Sequence, residues 1–358
     1  MTTYKQFQTV PGLAALSSVR SGQRMRLPVQ AIASEPAIDD ALTTANIRAQ
    51  SVNQRINEEL WQERMKVMIP SAPPVPREDA LQKRRWKAAP HHLTKRQLWA
   101  KIQDEAAVHA KNEPVLASFL HMSVIMHSTM DKSLAFIVSN KLQSPTFLGT
   151  QLMRLALEAY EDEPEILEAA VADLQAVADR DPACETFVQC LLFFKGFQAI
   201  QVYRIAHWLW KRGRRSLAVA LQSRTSEVFA VDIHPAATLG RGILMDHATS
   251  IVIGETAMVG DNVSMLHHVT LGGSGTGSGT RHPTIGNGVL LGAGVSVLGP
   301  IVIGHCSKVG AGSVVVTDIP SNSVAVGVPA RVVKKLDKGV EPTKDMDQIQ
   351  DFILDYVI

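Results

Sequence analysis

Between Phe229 and Phe352 the chain contains no phenylalanine, tryptophan or tyrosine. That absence suits narrow coils that must stack closely on one another. Cysteine is scarce too. Cys184, Cys190 and Cys306 show no C-x-x-C spacing, which argues against a disulfide framework and reads as free thiols in a reducing compartment. No apolar run is long and uninterrupted enough for a transmembrane helix. A net charge of +2 gives no reason to invoke nucleic acid or a membrane surface. Residues 1–34 lack Asp and Glu but carry Lys5, Arg20, Arg24 and Arg26 among frequent Ser and Thr. That is the composition of an organellar transit peptide, without the apolar run of a secretory signal; a chloroplast is the expected destination, with mitochondrion or cytosol as alternatives.

What is present is a period of six. Ile285, Leu291, Val297, Ile303, Val309 and Val315 are all aliphatic, and four of the six are followed by glycine. Neither a strand nor a helix has this period; a hexapeptide β-helix does, with one flat face per hexapeptide. One aliphatic side chain per face points inward, and stacked coils bury a core that no coil could bury alone. Upstream, Ile233, Leu239, Met245 and Ile251 keep step. The frame then slips by two, and Ile253, Val259, Met265 and Leu271 keep step again. From Gly272 to Thr284 the pattern stops, in a glycine-rich stretch ending Arg281-His282-Pro283-Thr284. This predicts a loop thrown out of a rigid scaffold, where function tends to sit. Of 24 glycines, 18 lie between Gly240 and Gly327, where tight corners need them.

The 358 residues are enough for about two cored domains. The fold class expected is α+β and multi-domain, an α-helical domain followed by a parallel β-helix of hexapeptide repeats. Residues 1–80 read as a targeting or disordered region ending in a linker with Pro70, Pro73, Pro74 and Pro76, with a short helix around 46–67. Residues 81–228 read as helical. Thr94 and Gln97 fit a capping box, and Leu98, Ile102 and Ala106 follow at helical spacing. Further helices are expected over 115–130, from Ser144-Pro145 to about 160, over 166–178, over 186–210 with an interruption at Gly196, and over 217–227. Lys211, Arg212, Arg214 and Arg215 read as a solvated helix end, where cations suit the helix C-terminus; attraction of an anionic ligand is the other reading. Residues 229–331 form the β-helix and 332–358 a tail.

Several stretches together resemble serine O-acetyltransferases: Val231 to Ala237 (VDIHPAA), 240–249 (GRGILMDHAT), 253–257 (IGETA), 267–273 (HHVTLGG), 281–283 (RHP) and 327–331 (GVPAR). In the helical part, 180–183 (RDPA) and 195–204 (KGFQAIQVYR) resemble the same family. The resemblance spans roughly Leu98 to Arg331 plus the last residues. It implies a left-handed parallel β-helix, an exception to the right-handed crossover rule, assembled as a homotrimer or a dimer of trimers.

The reaction so implied moves an acetyl group from acetyl-CoA to the hydroxyl of L-serine, with no metal. The hydroxyl must lose its proton as it attacks the thioester, so a general base is needed. Histidine titrates near working pH, and the family's base matches His247. Its carboxylate partner, which would fix the ring's tautomer, matches Asp232. These two are fifteen residues apart, a little under one eighteen-residue coil, so adjacent coils could bring them close. Serine is a zwitterion. Arg281 and His282 match the family's carboxylate-binding pair, a role that suits a two-pronged guanidinium, and Asp181 and Asp246 match its ammonium-binding acids. Gly273, Ala293 and Ala311 match positions where the pantetheine arm of coenzyme A lies against backbone, and Lys308 and Arg331 are candidates for its phosphates. His267-His268 invites a zinc reading, but a zinc site of this kind needs three histidines, and neighbours on a strand point to opposite faces. Cys306 reads as a small buried residue.

The chain ends Asp351-Phe352-Ile353-Leu354-Asp355-Tyr356-Val357-Ile358. One reading is an amphipathic helix folded back on the solenoid. The resemblance implies another: Ile358 and its carboxylate captured in a pocket of O-acetylserine sulfhydrylase, forming a cysteine synthase complex. L-cysteine, sharing serine's zwitterionic backbone, is the expected feedback inhibitor. Two rival readings are an acetyltransferase for another small hydroxyl or amine acceptor, such as a sugar, and a regulatory subunit without activity.

Overall fold

A computed structural model describes residues 93–275, 279–337 and 339–346. The expectations for the leader, the 46–67 helix, the proline-rich linker and the 349–358 tail with Ile358 lie outside these residues.

Helix α1 (Lys95–Asn112) starts at the expected capping box, where Thr94 and Gln97 satisfy each other's backbone N–H groups. Leu98, Ile102 and Ala106 are buried on one face. The single helix expected over 115–130 is instead a 3-10 turn (Pro114–Leu116), a short helix α2 (Ala117–Leu120) and a π turn (His121–Ile125). The His127 ring donates to the Met122 carbonyl at 3.0 Å and closes that turn. A separate helix α3 (Met130–Leu142) follows. Ser144 does not cap a helix directly. Its Oγ accepts from the N–H groups of Thr146 and Phe147, and α4 (Gly149–Asp162) begins beyond that turn. Pro164 stands at the N-cap of α5 (Glu165–Arg180). The long apolar stretch is two helices, α6 (Phe187–Phe193) and α7 (Lys195–Lys211), broken at Phe194 (φ −84°, ψ 100°) rather than at Gly196. Helix α8 (Arg215–Phe229) ends at Ala230 in the left-handed region, φ 56°.

The basic run after α7 is occupied by intramolecular partners. Lys211 pairs with Glu163, Arg212 with Asp162 and Arg214 with Glu158. The guanidinium of Arg215 lies over the Trp210 ring at 5.0 Å.

From Val231 the chain winds a parallel solenoid of about five turns, matching a left-handed β-helix. One sheet holds β1 (Val231–Ile233), β4 (Ile251–Ile253), β7 (Thr270–Gly272), β10 (Ser296–Leu298) and β13 (Val314–Val315). The second holds β2 (Thr238–Leu239), β5 (Met258–Val259), β8 (Thr284–Ile285) and β11 (Val302–Ile303). The third holds β3 (Leu244–Met245), β6 (Ser264–Met265), β9 (Leu290–Leu291), β12 (Lys308–Val309) and β14 (Ser323–Gly327), closed by the antiparallel β15 (Ala330–Lys335). The sheet therefore continues past Arg331 by four residues. Register stacks the periodic aliphatics into columns: Ile233, Ile253, Leu271, Val297 and Val315 on the first sheet, and Met245, Met265, Leu291, Val309 and Ala325 on the third. Leu239, Val259, Ile285 and Ile303 form the second-sheet column. All are buried, and a fully buried aliphatic of this size contributes about 1.5–3 kcal/mol.

The helices and the solenoid share one core and a buried polar weld. Asp173 on α5, with no exposed surface, accepts from Arg204 of α7 at 2.7 Å and from the Ile243 N–H at 2.8 Å. Arg204 also donates to the Gly240 carbonyl, and Arg180 to the Gly242 carbonyl and to Asn262. Charges so enclosed persist only when their hydrogen bonds are made, so this network fixes the helices on the first corners of the solenoid.

Candidate active site

The two interruptions of the six-residue frame carry the candidate residues. From Met245 to Ile253 the chain takes eight residues between inward positions, against six from Met265 to Leu271. The additional two lie in the corner between the third and first sheets, where His247, Ala248 and Ser250 have φ of 54°, 56° and 60°. A left-handed backbone is costly for non-glycine residues and clusters at functional sites. It presents the His247 ring to solvent, 76% exposed. The corner is held by close contacts. The Ala248 N–H donates to the Asp246 carbonyl (2.6 Å) and Thr249 N–H to the His247 carbonyl (2.7 Å). Lys195, the first residue of α7, donates to Thr249 Oγ1 at 2.6 Å. Gly196 follows, and a Cβ there would lie 2.2 Å from the Met245 carbonyl oxygen, so glycine is what lets α7 reach this corner.

Asp181 and Asp246 come together here. Asp181 ends α5, with Oδ1 accepting the Ala183 N–H at 2.8 Å, so it serves as a local cap as well as a candidate ligand. Burial, and then the charge of Asp181, hold the Asp246 carboxyl above the usual range, with His247 opposing them. Paired carboxylates at one place favour a cation between them, as an ammonium group requires. The Asp246 carboxylate lies 3.9 Å from His247 Nε2, beyond hydrogen-bonding distance.

Asp232 is placed differently from the expected dyad. It stands on β1 in register with Val252, and its Oδ1 accepts from Gln222 Nε2 of α8 at 2.7 Å. No hydrogen bond joins it to His247 in this structure. Gln222 lies ten residues away on a helix, and nothing in the repeat pattern points to it.

Arg281 and His282 occupy another corner, between the first and second sheets. The hydroxyl of Thr256 organises them, accepting the Arg281 and His282 N–H groups at 3.0 and 3.1 Å and lying 2.9 Å from His282 Nδ1. The Thr256 N–H also donates to Nδ1 at 3.2 Å. The neutral ring therefore carries its proton on Nε2, and burial followed by the Arg281 charge holds its pKa below the usual value. The Arg281 guanidinium is paired with Glu255. Glu255 and Thr256 fall within the 253–257 stretch that carries the resemblance, but the repeat pattern assigns them no role. Gly254 is required here, since a Cβ would fall 2.0 Å from His282 Nε2.

The coenzyme candidates divide between the corners. Ala293 and Ala311 lie on the His247 corner, two residues past Leu291 and Val309 of the third-sheet column. Gly273 lies beside the His282 ring. Arg331 is exposed on β15. Lys308 is enclosed within the single chain. It occupies an outward position in register with Ser264, Leu290 and Val324, all of them covered, and is itself 3% exposed, so its ammonium is not offered at the surface. Among the described residues no group of three or more His, Cys, Asp or Glu side chains is placed to hold a metal.

An exposed histidine, a pair of carboxylates and an Arg–His pair lie on the corners of a left-handed β-helix, the fold of hexapeptide-repeat acyltransferases. Residues 282–317 match the family described as bacterial transferase hexapeptide (six repeats), and residues 98–202 match serine acetyltransferase, N-terminal. The chain is 49% identical over 251 residues to the serine acetyltransferase of Escherichia coli K12, covering 70% of this chain and 92% of that one. Among solved structures, soybean serine acetyltransferase complexed with serine superposes with a TM-score of 0.65 at 56% identity, over 66% of this chain and 97% of that chain. The Brucella abortus enzyme in complex with coenzyme A gives 0.66 at 46% identity, over 67% and 96%. A serine acetyltransferase in complex with cysteine gives 0.70 at 47%, over 71% and 99%. The chain belongs to the serine acetyltransferase family.

Proposed function

We propose that the chain is a serine O-acetyltransferase, making O-acetyl-L-serine and coenzyme A from L-serine and acetyl-CoA in the first step from serine towards cysteine. The observation that carries this reading is that both breaks in the hexapeptide frame bear groups complementary to a serine zwitterion. One holds a base beside two carboxylates, the other a neutral histidine and an arginine. His247 takes the proton from the serine hydroxyl as its oxygen bonds to the thioester carbon. The C–S bond then breaks, and the proton passes from the imidazolium to the departing thiolate. Asp181 and Asp246 hold the ammonium group; Arg281 and His282 Nε2–H hold the carboxylate. Asp232 leaves Gln222 for the His247 ring when that exposed side chain turns toward it, fixing its tautomer.

The two clusters lie on different corners of one solenoid, so a complete site needs two copies. A cyclic trimer sets the Arg281 corner of one copy against the His247 corner of the next, a heterologous contact that closes; pairing of two trimers would extend the same design. The pantetheine arm would run along Ala293 and Ala311 in that seam. L-cysteine satisfies the same zwitterion contacts and is the proposed feedback inhibitor. The acid-free leader supports a chloroplast destination, and Ile358 supports docking of O-acetylserine sulfhydrylase on the tail.

Thiol release from acetyl-CoA, followed with serine, threonine, sugars or no acceptor, tests the reading. Release with serine is expected. Release with sugars alone would replace the substrate, and no release with any acceptor would favour a non-catalytic subunit.

A further inference from the structure

The corner between the second and third sheets carries none of the candidate residues placed above. Between its first turn, α5 and α7 lies a slot of about 310 Å³, at the small end of ligand cavities. Ile166 and Ala169 of α5 and Leu239 of β2 give it apolar walls. Two polar side chains more than nine-tenths buried line it, Tyr203 and Arg204. The Tyr203 hydroxyl is fully used, donating to the Ala237 carbonyl and accepting the Leu239 N–H. Arg204 is not. Its Nε and Nη2 serve Asp173 and Gly240, and its Nη1 has no hydrogen-bond partner among the described residues. His207, one turn further along α7, also offers an unused atom. Its Nδ1–H donates to the Pro235 carbonyl at 2.8 Å. Burial holds the ring's pKa below the usual value, and the neutral ring leaves Nε2 bare as an acceptor. The charges at the mouth do not cancel. Lys211 is matched by Glu163. Glu165 and Glu168, in the first turn of α5, are exposed and form no ion pair among the described residues. Asp261 Oδ1 accepts the Arg241 N–H at 2.9 Å, while the Arg241 guanidinium is exposed and has no partner among those residues.

We propose that this slot is a second ligand site, separate from the acetyl-transfer site, and that it binds an α-amino acid with a short apolar side chain. The ligand's carboxylate accepts from Arg204 Nη1 and from Arg241, since a guanidinium fork suits a carboxylate. Its ammonium group donates to His207 Nε2 and meets the carboxylates of Glu165 and Glu168. Its side chain lies against Ile166, Ala169 and Leu239. A simple anion would face three carboxylates, Glu165, Glu168 and Asp261, and a simple cation would leave the unspent guanidinium edges unmatched. Only a molecule with both charges satisfies the slot. Bound there, it touches both helices and the first coil beside the Asp173–Arg204 pair, so it stabilises the junction of helices and solenoid by linkage. The inference does not depend on the assignment of His247 as the base.

The test is calorimetric titration of the full-length chain with L-valine, L-leucine and L-methionine. Isobutylamine and isovalerate, which carry one charge each, serve as half-ligands, and thermal melting establishes folding of each variant. At least one amino acid should bind and raise the melting temperature, with both half-ligands at least about tenfold weaker. Arg241→Ala and Glu168→Gln, both at exposed positions, should each weaken binding by about 10- to 100-fold, the usual loss for a hydrogen bond to a charged group. Arg281→Ala should leave it within about twofold. Absence of binding by all three amino acids, or binding that both slot variants leave unchanged, would overturn the proposal. So would loss of binding in Arg281→Ala, which would place the ligand in the serine site, or a half-ligand binding as well as the amino acid. Serine turnover without added ligand should be unchanged in Arg241→Ala, so the outcome is read apart from the assignment of the reaction.

Discussion

Replacing Gly196 by alanine sets two opposing effects against each other. In an unobstructed helix, glycine to alanine gains about 1 kcal/mol. At Gly196, however, the new methyl would lie 2.2 Å from the Met245 carbonyl oxygen and 3.0 Å from the Cβ atoms of Met245 and Ala248. Non-bonded carbon contacts settle near roughly 3.5–4.0 Å, so α7 and the His247 corner must separate by about 1 Å. Overpacking of this kind costs about 1–3 kcal/mol, which outweighs the propensity gain. Lys195 would be drawn back from Thr249 at the same time, and a misplacement of about 1 Å in a reacting group can cost roughly 10²-fold. The expected result is a lower denaturation midpoint together with a fall in kcat of about that size. Gly149→Ala is the control. It also opens a helix, but its methyl would press only on the flexible Oε1 end of Gln143, at 2.9 Å, so stability and kcat should hold. Equal behaviour of the two variants would refute the claim that α7 positions the catalytic corner.

Arg281→Ala should raise KM for serine far more than KM for acetyl-CoA, since it removes a carboxylate contact; equal effects on both would point to a role in folding the loop. Stability should fall in acid. His127, His207, His234 and His282 are each held below the ordinary histidine value, chiefly by burial. As pH drops through about 6.5 the unfolded chain binds protons the folded chain refuses, so the contribution is complete above that pH and lost beneath it. Denaturant midpoints at about pH 8 and 5.5 measure it, and a flat profile would contradict it. Removing residues 349–358 should abolish binding of O-acetylserine sulfhydrylase while sparing acetyl transfer; retained binding would exclude the tail as anchor.

The solenoid is legible in the sequence because each coil repeats the same local demand. An inward aliphatic every six residues sets the register, and once the two-residue slip and the extruded loop are allowed for it aligns Met245, Met265 and Leu291 as the sheet pairs them. The candidate site residues His247, Arg281 and His282 stand where the frame fails, which is the signal in the sequence that draws attention to them. The helices are less so. The end of the π turn depends on the His127 ring reaching the Met122 carbonyl, a contact no periodicity records, and so the apolar pattern runs on across it towards α3. Composition puts the break in the long apolar stretch at Gly196. It falls at Phe194, and the absent side chain of Gly196 serves the contact with Met245 instead. Long-range partners are hidden for the same reason. Gln222 on Asp232, Glu255 on Arg281 and the coverage over Lys308 all depend on how separate elements meet.

The central claim is that His247 of one copy and Arg281 of another complete each site. Co-expression of His247→Ala and Arg281→Ala chains tests it, with turnover measured at serine well below KM. In randomly mixed trimers, cyclic symmetry gives about a quarter of the seams an intact His247 facing an intact Arg281. The mixture should therefore recover about a quarter of wild-type kcat/KM, although each variant alone is crippled. If the mixture shows no more activity than the average of the two variants, each site is built within a single chain and the account is wrong.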